Sequence, residues 1–215
     1  MSDQSTDTAQ ELTEEPPQAP RLEDAPRRAT VILLLGLSLV ALVARGELVM
    51  SEIQTLKSPT SALLCDINPL IGCSTSLLTW QAHLLFGIPN ALVGVALFAG
   101  LVALFGSWLG GNPPRWMMLT LKAGLTAALL LIGFFLWQSL TVFRTLCPFC
   151  AIVWVCTILI WVHLGAQLMR LGWLLPGSRF AHFWVAQRWF VAIIILLLIV
   201  VVVAFALSDK LVYIF

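Results

Sequence analysis

The sequence predicts an all-α integral membrane protein with five transmembrane helices. Of its 215 residues 60% are hydrophobic and only 11% are charged, whereas a soluble domain is about 25% charged. Five apolar runs each approach the roughly 20 residues that a helix needs to cross the hydrocarbon core. Open strands are excluded in lipid, because their unpaired backbone groups find no water there. With a net charge of +1 and no basic tract, no nucleic-acid partner is expected.

The membrane domain is predicted to occupy residues 30–208. Residues 1–29 are rich in Asp, Glu, Gln, Pro and Ser and are expected to form a disordered cytoplasmic tail, and residues 209–215 a short tail on the outer side. Arg45 and Glu47, near the end of the first span, are expected to reach the headgroups. The spans are Thr30–Met50, Pro89–Trp108, Trp116–Phe143, Pro148–Leu171 and Phe190–Leu207.

The first span could also be a secretory signal, because its apolar core is short and follows two arginines. The long acidic leader and the poor cleavage context favour an uncleaved helix. After the first outer loop, the pattern from Ser74 to Leu85 is amphipathic and predicts a short helix at the membrane interface. Gly87 ends that pattern, and Pro89 suits the first turn of the second span.

The distribution of Lys and Arg predicts a cytoplasmic N-terminus. This orientation places all four cysteines of the two pairs described next at the outer, oxidising face, where disulfides persist. The inner side then holds Arg21, Arg27, Arg28, Arg115, Lys122, Arg170, Arg179 and Arg188, and the outer side holds Arg45, Lys57, Arg144 and Lys210.

Two cysteine pairs are the candidate reactive groups. Cys65 and Cys73 are separated by a stretch whose Asp, Asn, Pro and Gly residues predict a turn, and a disulfide across it is feasible. Cys147 and Cys150 form a Cys-x-x-Cys motif, in which Thr145 or Cys147 would cap the fourth span. Free N–H groups and the helix dipole at such an end favour a thiolate. Two neighbouring pairs of this kind can exchange two electrons through mixed disulfides.

Two other interpretations of these cysteines remain open. Four cysteines could bind a structural zinc ion, although the spacing of the first pair is wide for a zinc knuckle. They could also form two inert disulfides in a non-catalytic scaffold. Cys156, inside the fourth span, is expected to be a small buried hydrophobe. His83 is expected to be a wetted surface residue, and Asp66 to form the turn beside Cys65.

The ordered combination of motifs resembles the vitamin K epoxide reductase family, over most of the chain from the first span through the fourth. The resemblance implies a four-helix bundle around a quinone, with a fifth helix alongside, and oxidation of a thioredoxin-fold partner. It rests on Cys65-(seven residues)-Cys73, then Thr79-Trp80, then Gly87-Ile88-Pro89-Asn90, then Cys147-Pro148-Phe149-Cys150.

The resemblance also implies a role for each cysteine. Cys65 would exchange with the partner, Cys73 would relay electrons to Cys147, and Cys150 would face the quinone, which could be of the menaquinone, ubiquinone or phylloquinone type. Because the chain ends at Phe215, the partner is expected to be a separate thioredoxin-fold (DsbA-like) protein. The location implied is the inner membrane of a bacterial cell, with the cysteines at its periplasmic or extracellular face.

Three further residues match family positions near the quinone. Thr79 keeps the hydroxyl six residues after the second loop cysteine, although it could instead bond its own helix backbone. Asn90 matches an asparagine near the head-group pocket, although it could instead be a helix cap. Trp154 replaces a tyrosine that is frequent in the family, so an aromatic wall is kept and a phenolic hydrogen bond is lost. A related activity, reduction of a quinone or its epoxide by an external thiol, differs in the physiological donor.

Overall fold

The protein was analysed as a computed structural model, which describes residues 28–58, 65–66, 71–73, 79–84, 87–206 and 208. Of the predicted tail at residues 1–29, residues 1–27 lie outside these ranges and Arg28 and Ala29 begin the first helix. The predicted tail at residues 209–215 also lies outside them, as do residues 74–78 and 85 of the predicted interfacial helix. Across the described ranges the chain is mainly helical, and an isolated parallel bridge joins Ile71 to Leu146.

Six α-helices are present in the described ranges. Five of them are long and apolar enough to cross a membrane, which confirms the predicted all-α fold with five spans. The short α5 corresponds to none of the predicted spans. The helices are α1 (Arg28–Lys57), α2 (Asn90–Trp108), α3 (Arg115–Gln138), α4 (Pro148–Arg170), α5 (Arg179–Ala186) and α6 (Arg188–Ala206).

Two shorter helical turns lie next to the spans. A 3-10 turn, Trp80–His83, precedes α2 and is the described part of the predicted interfacial helix. A π-helical turn, Ser139–Phe143, extends α3 and ends at Arg144, whose φ of 51° is in the left-handed region. π turns are rare and occur frequently at functional sites.

Helix α4 is the centre of the bundle. Its Val153, Cys156, Ile160 and Leu164 are buried in one core with side chains of α1, α2 and α3. The apolar residues of α4 recur on more than one face, as expected for a helix with neighbours on several sides. Cys156 is buried in this core, consistent with its predicted behaviour as a small hydrophobe.

The fifth span is peripheral. Helix α6 packs through Ala192 against Ile158 and Val162 of α4, and most of its other side chains remain exposed within the protein. Apolar exposure along a whole helix is the pattern of a lipid-facing span, since lipid tails are as apolar as these side chains. The expected arrangement of a bundle with one helix alongside therefore agrees with this packing.

Helix α1 is longer than the sequence predicts. It continues past Met50 to Lys57, so that Glu52 lies within the helix and is buried. Glu47 is exposed, as expected for a side chain that reaches the headgroups, but Arg45 is directed into the protein. The position of Arg45 relative to the headgroups stays a prediction, and its contacts within the protein belong to the site described next.

Candidate functional site

The loop that carries Cys73 is held against the segment before α4. Ile71 and Leu146 form a parallel bridge, in which the N–H of Gly72 donates to the carbonyl oxygen of Leu146 at 3.2 Å. Cys147 directly follows the bridged Leu146, and Cys73 lies two residues after the bridged Ile71. This pairing therefore places the two cysteines side by side. Backbone pairing therefore aligns residues that are far apart in the sequence.

Asp66 stabilises the turn between the two loop cysteines. Its Oδ1 accepts a hydrogen bond from the N–H of Cys73 at 2.8 Å. A Cβ atom on Gly72 would lie 2.8 Å from the same oxygen, so glycine is needed for this close approach. The turn-forming role predicted for Asp66 agrees with this contact.

Cys147 caps α4, as one of the two predicted capping residues. Its backbone is extended, Pro148 follows in the first turn, and its Sγ accepts a hydrogen bond from the N–H of Cys150 at 3.4 Å. The missing N–H of a proline is not needed in the first turn of a helix. The sequence Cys-Pro-Phe-Cys therefore both starts the helix and directs a sulfur atom toward its N-terminal N–H groups.

The sulfur atoms of three cysteines form a continuous path. Cys65 and Cys73 form a disulfide, and Cys147 and Cys150 are free thiols. The Sγ of Cys73 lies 3.2 Å from the Sγ of Cys147. Cys65, Cys73 and Cys147 are 1%, 0% and 7% exposed, covered in part by Leu48 of α1 and Ala91 of α2. The contact between the two pairs is thus enclosed in an apolar environment.

The thiol of Cys147 is shifted toward its thiolate form. Hydrogen bonding from the Cys150 thiol, together with the backbone N–H groups of Cys150 and Phe149 and the charge of Arg45, lowers the pKa of Cys147 from its usual value, against the opposing effect of burial. A thiolate is the reactive form in thiol–disulfide exchange. The cysteine nearest to the loop disulfide is therefore the one prepared to attack it.

A cleft of about 760 Å³, including space open to solvent, begins at the inner cysteine pair. Its lining combines apolar and aromatic side chains with a small number of polar groups, which is the usual composition of a cofactor or small-molecule site. The lining residues are Arg45, Leu48, Glu52, Thr79, Gln81, Ala82, Asn90, Ala91, Phe135, Ser139, Phe143, Thr145, Cys147, Cys150 and Trp154.

All three residues predicted beside the cysteines line this cleft. Trp154 is buried and forms part of an aromatic wall on α4, one turn after Cys150. Thr79 precedes the 3-10 turn, and Asn90 begins α2. The amide nitrogen of Asn90 donates to the carbonyl oxygen of Gln81 at 2.7 Å, so the side chain joins two elements of the lining. Asn90 does not cap α2, which was the alternative role expected for it, because the N-cap residue of this helix is Pro89.

Several polar residues of the lining were not predicted as site residues, among them Gln81, Arg45 and Glu52. Gln81 is buried, and its Oε1 has no hydrogen-bond partner. Arg45 and Glu52 come from the last turns of α1, and Arg45 has a buried Nε without a partner. The position of both charges in an apolar helix could have identified Arg45 and Glu52 as site residues, because ionisable residues inside a membrane span are usually functional.

Glu52 is in contact with His83. The Nε2 of His83 lies 3.0 Å from Glu52 Oε1, and its Nδ1 lies 3.1 Å from the carbonyl oxygen of Thr79. A carbonyl oxygen can only accept, so the second contact is a hydrogen bond when Nδ1 is the donor. The other ring nitrogen then faces the Glu52 carboxyl group. The histidine is half-buried rather than a wetted surface residue, and it joins a buried carboxylate of the cleft to the exterior.

The sequence pattern of the vitamin K epoxide reductase family matches residues 32–164, which is more than half of the chain. The matched region begins in α1 and ends in α4, and it includes both cysteine pairs and the whole lining of the cleft. Comparison with the curated proteins found no match, and neither did comparison with the solved structures. The chain is therefore a multi-pass membrane oxidoreductase that belongs to the vitamin K epoxide reductase family.

Proposed function

We propose that the protein is a membrane thiol:quinone oxidoreductase that reoxidises a thioredoxin-fold protein outside the cytoplasm and so supports disulfide formation. The observation that carries the proposal is the 3.2 Å distance between the sulfur atoms of Cys73 and Cys147, with Cys150 at the head of the cleft. The loop pair would receive electrons from the protein partner, and the inner pair would deliver them. Both pairs would lie at the outer face of a bacterial inner membrane.

The first step takes place at the loop pair. A thiolate of the partner attacks Cys65, which forms a mixed disulfide and releases Cys73 as a thiolate. The second thiol of the partner then attacks the mixed disulfide, so that the partner leaves oxidised and Cys65 is reduced. Two electrons and two protons have then moved from the partner to the loop pair.

The second step transfers these electrons to the inner pair, which is then a disulfide. The thiolate of Cys73 attacks Cys147, forming a Cys73–Cys147 disulfide and releasing Cys150. Cys65 then attacks Cys73 and releases Cys147. The products are a Cys65–Cys73 disulfide and two reduced inner cysteines, which is the pairing observed in the structure.

The cleft residues fit a quinone. Trp154, Phe135 and Phe143 provide aromatic surface for its ring. The buried Oε1 of Gln81, which has no partner, can accept a hydrogen bond from a hydroxyl group, and Thr79 and Asn90 add polar groups to the lining. A quinone bound there supplies an acceptor for two electrons and two protons. The aromatic and polar groups of the chain would orient it beside Cys150 and exclude water.

Two rival functions are less well supported by these features. A zinc site of four cysteines needs four thiolates, and two of these residues are joined in a disulfide. An epoxide reductase would benefit from an acidic hydroxyl over the ligand, and Trp154 supplies only an indole N–H at the family's tyrosine position. An inert scaffold gives no physical reason for the inner cysteine pair to face a cleft lined in part by buried polar groups.

The proposal is tested by mixing the reduced, detergent-solubilised protein with a soluble quinone analogue and a reduced thioredoxin-fold protein. Beyond the stoichiometric fall that the reduced protein itself causes, quinone absorbance is expected to fall only when all three are present, and the thioredoxin-fold protein is expected to become oxidised in an amount equal to this further fall. A constant absorbance with all cysteines intact would contradict the proposal. Oxidation of the donor without loss of quinone would show that another acceptor is used.

We expect Glu52→Gln to slow quinone reduction about a hundredfold, because a positioned acid commonly contributes that much to proton transfer. The variant keeps the size of the side chain but cannot accept or release a proton beside His83 Nε2. The measurement is a single turnover, in which the prereduced protein is mixed with quinone. Glu47→Gln is the matched control, since Glu47 is an exposed carboxylate of the same helix. Equal rates for the two variants would contradict a role of Glu52 in proton transfer.

A further inference from the structure

Arg45 is a partly buried cation for which the described residues show no carboxylate partner. It lies in α1 within a membrane-spanning segment, and it lines the cleft together with Cys147 and Cys150. Its Nε is buried and has no hydrogen-bond partner. Glu52, the carboxylate of the cleft lining, is already engaged with His83.

An unpaired cation in a region of low dielectric constant is strongly unfavourable unless an anion lies nearby. Apart from Glu52, the groups of the lining that can become anionic are the thiols of Cys147 and Cys150. The lining residues of α2, α3 and the π-helical turn carry no ionisable group. The chemistry of the cleft thus leaves the inner thiols as the counter-charge of Arg45.

We propose that Arg45 is the fixed positive charge that stabilises a thiolate of the Cys147–Cys150 pair, and that Gly94 holds it there. This inference deepens the proposed function, on which its significance rests. A cation beside a dithiol favours the reduced pair, because a thiolate exists only in the reduced state. Arg45 therefore makes the inner pair a better electron acceptor for the loop pair, in the way that stabilised thiolates make other dithiols oxidising.

The side chain of Arg45 lies against Gly94 of α2. A Cβ atom at this position would lie 2.6 Å from Arg45 Nε and 2.7 Å from Arg45 Cδ, closer than real Cβ atoms approach other atoms. Alanine at Gly94 would therefore displace the guanidinium group without changing any charge. Gly100 belongs to the same helix, and a Cβ there would meet nothing within 4 Å. The chain thus offers a matched pair of glycines, one that supports Arg45 and one that does not.

The test measures the thiolates directly, with neither quinone nor protein partner present. The fully reduced protein is alkylated with iodoacetamide between pH 5 and pH 10, and mass spectrometry gives the rate at each cysteine. With Arg45→Gln, alkylation of the inner pair at pH 7 is expected to fall about tenfold, as for a pKa raised by one unit. The rates at Cys65 and Cys73 are expected to stay unchanged and serve as controls within the same chain.

The glycine variants separate an electrostatic role from a loss of packing. Gly94→Ala is expected to shift the alkylation profile of the inner pair in the same direction as Arg45→Gln, and Arg45→Lys to shift it less. Gly100→Ala is expected to leave the profile unchanged. The reduction potential of the inner pair, measured against glutathione or dithiothreitol buffers, is expected to become more negative in both Arg45→Gln and Gly94→Ala.

Identical profiles for Arg45→Gln and the unsubstituted protein would overturn the proposal, provided that both proteins have the same thermal unfolding midpoint. A shift at all four cysteines would also overturn it, because it would show a general disturbance of the fold. Neither result depends on a quinone. Loss of the proposed quinone reduction would therefore leave the thiolate measurement intact, and the two ideas can fail separately.

Discussion

Replacing Cys150 with serine is expected to lower the rate of quinone reduction by more than about a thousandfold, because the inner pair can then no longer form its disulfide. The thiolate of Cys147 would remain beside the loop disulfide, with its sulfur 3.2 Å from that of Cys73. It can still attack Cys73, which gives a Cys73–Cys147 disulfide and a free Cys65, and Cys65 can reverse this step by attacking Cys73. The Cys65–Cys73 and Cys73–Cys147 pairings are therefore expected to interchange without reduction of quinone. Non-reducing peptide mapping would detect both.

Cys156→Ala is the control for this variant. Cys156 is also a cysteine of α4, but it is buried in the helical core and does not line the cleft. Quinone reduction is expected to stay within about twofold of the unsubstituted protein, since alanine removes a small apolar group. Normal quinone reduction by Cys150→Ser would exclude Cys150 from the electron path, whatever the state of the other cysteines.

Replacing Cys65 with serine is expected to reduce continuous turnover with a thioredoxin-fold donor by more than about a hundredfold, because the donor loses the sulfur that it attacks. The inner pair and the cleft are unchanged by this substitution. After reduction by dithiothreitol and removal of the reagent, the variant should still reduce about one equivalent of quinone in a single turnover. Comparing the two assays locates the defect at the entry of electrons.

Cys73→Ser provides the complementary result. Here Cys65 keeps its thiol but has lost the neighbour to which it is bonded. A donor that lacks its own second cysteine and carries thionitrobenzoate on the first is expected to exchange with the Cys65 thiol, which releases thionitrobenzoate and leaves a stable mixed disulfide, visible as a band of higher mass on a non-reducing gel. Continued turnover of Cys65→Ser with the protein donor would show that electrons enter at another residue.

Much of the fold follows from local properties of the sequence. The five spans are long apolar runs, and their ends are marked by prolines and charges near Pro89, Pro114 and Pro148. The cap at Cys147 could be predicted because a proline directly after an extended residue suits a helix start. The proximity of the two cysteine pairs followed only from the resemblance to a family, since the bridge between Ile71 and Leu146 joins two segments without a strand pattern.

The polar lining of the cleft was less predictable. The predicted first span ended at Met50, with Arg45 near its end and Glu52 beyond it, because charges normally mark the limit of an apolar helix. In the structure α1 continues to Lys57, and both side chains are turned toward other helices. Which face of a helix a charge occupies depends on the neighbours that surround it. That information lies in the packing of α1 against α2 and α4, and the sequence of α1 alone does not contain it.

The burial of Cys65 has a consequence for the choice of electron donor. Its side chain is 1% exposed while it is bonded to Cys73, so a donor can reach the sulfur only in a form of the loop that exposes it. If such a form had a population of about one per cent, the apparent affinity of any donor would fall about a hundredfold. A protein that binds the surrounding surface can recover this loss through its contacts, whereas a small soluble thiol cannot. Electrons would therefore enter at Cys65 mainly from a cognate protein that binds this surface. Small soluble thiols would pass few electrons through the protein into the membrane.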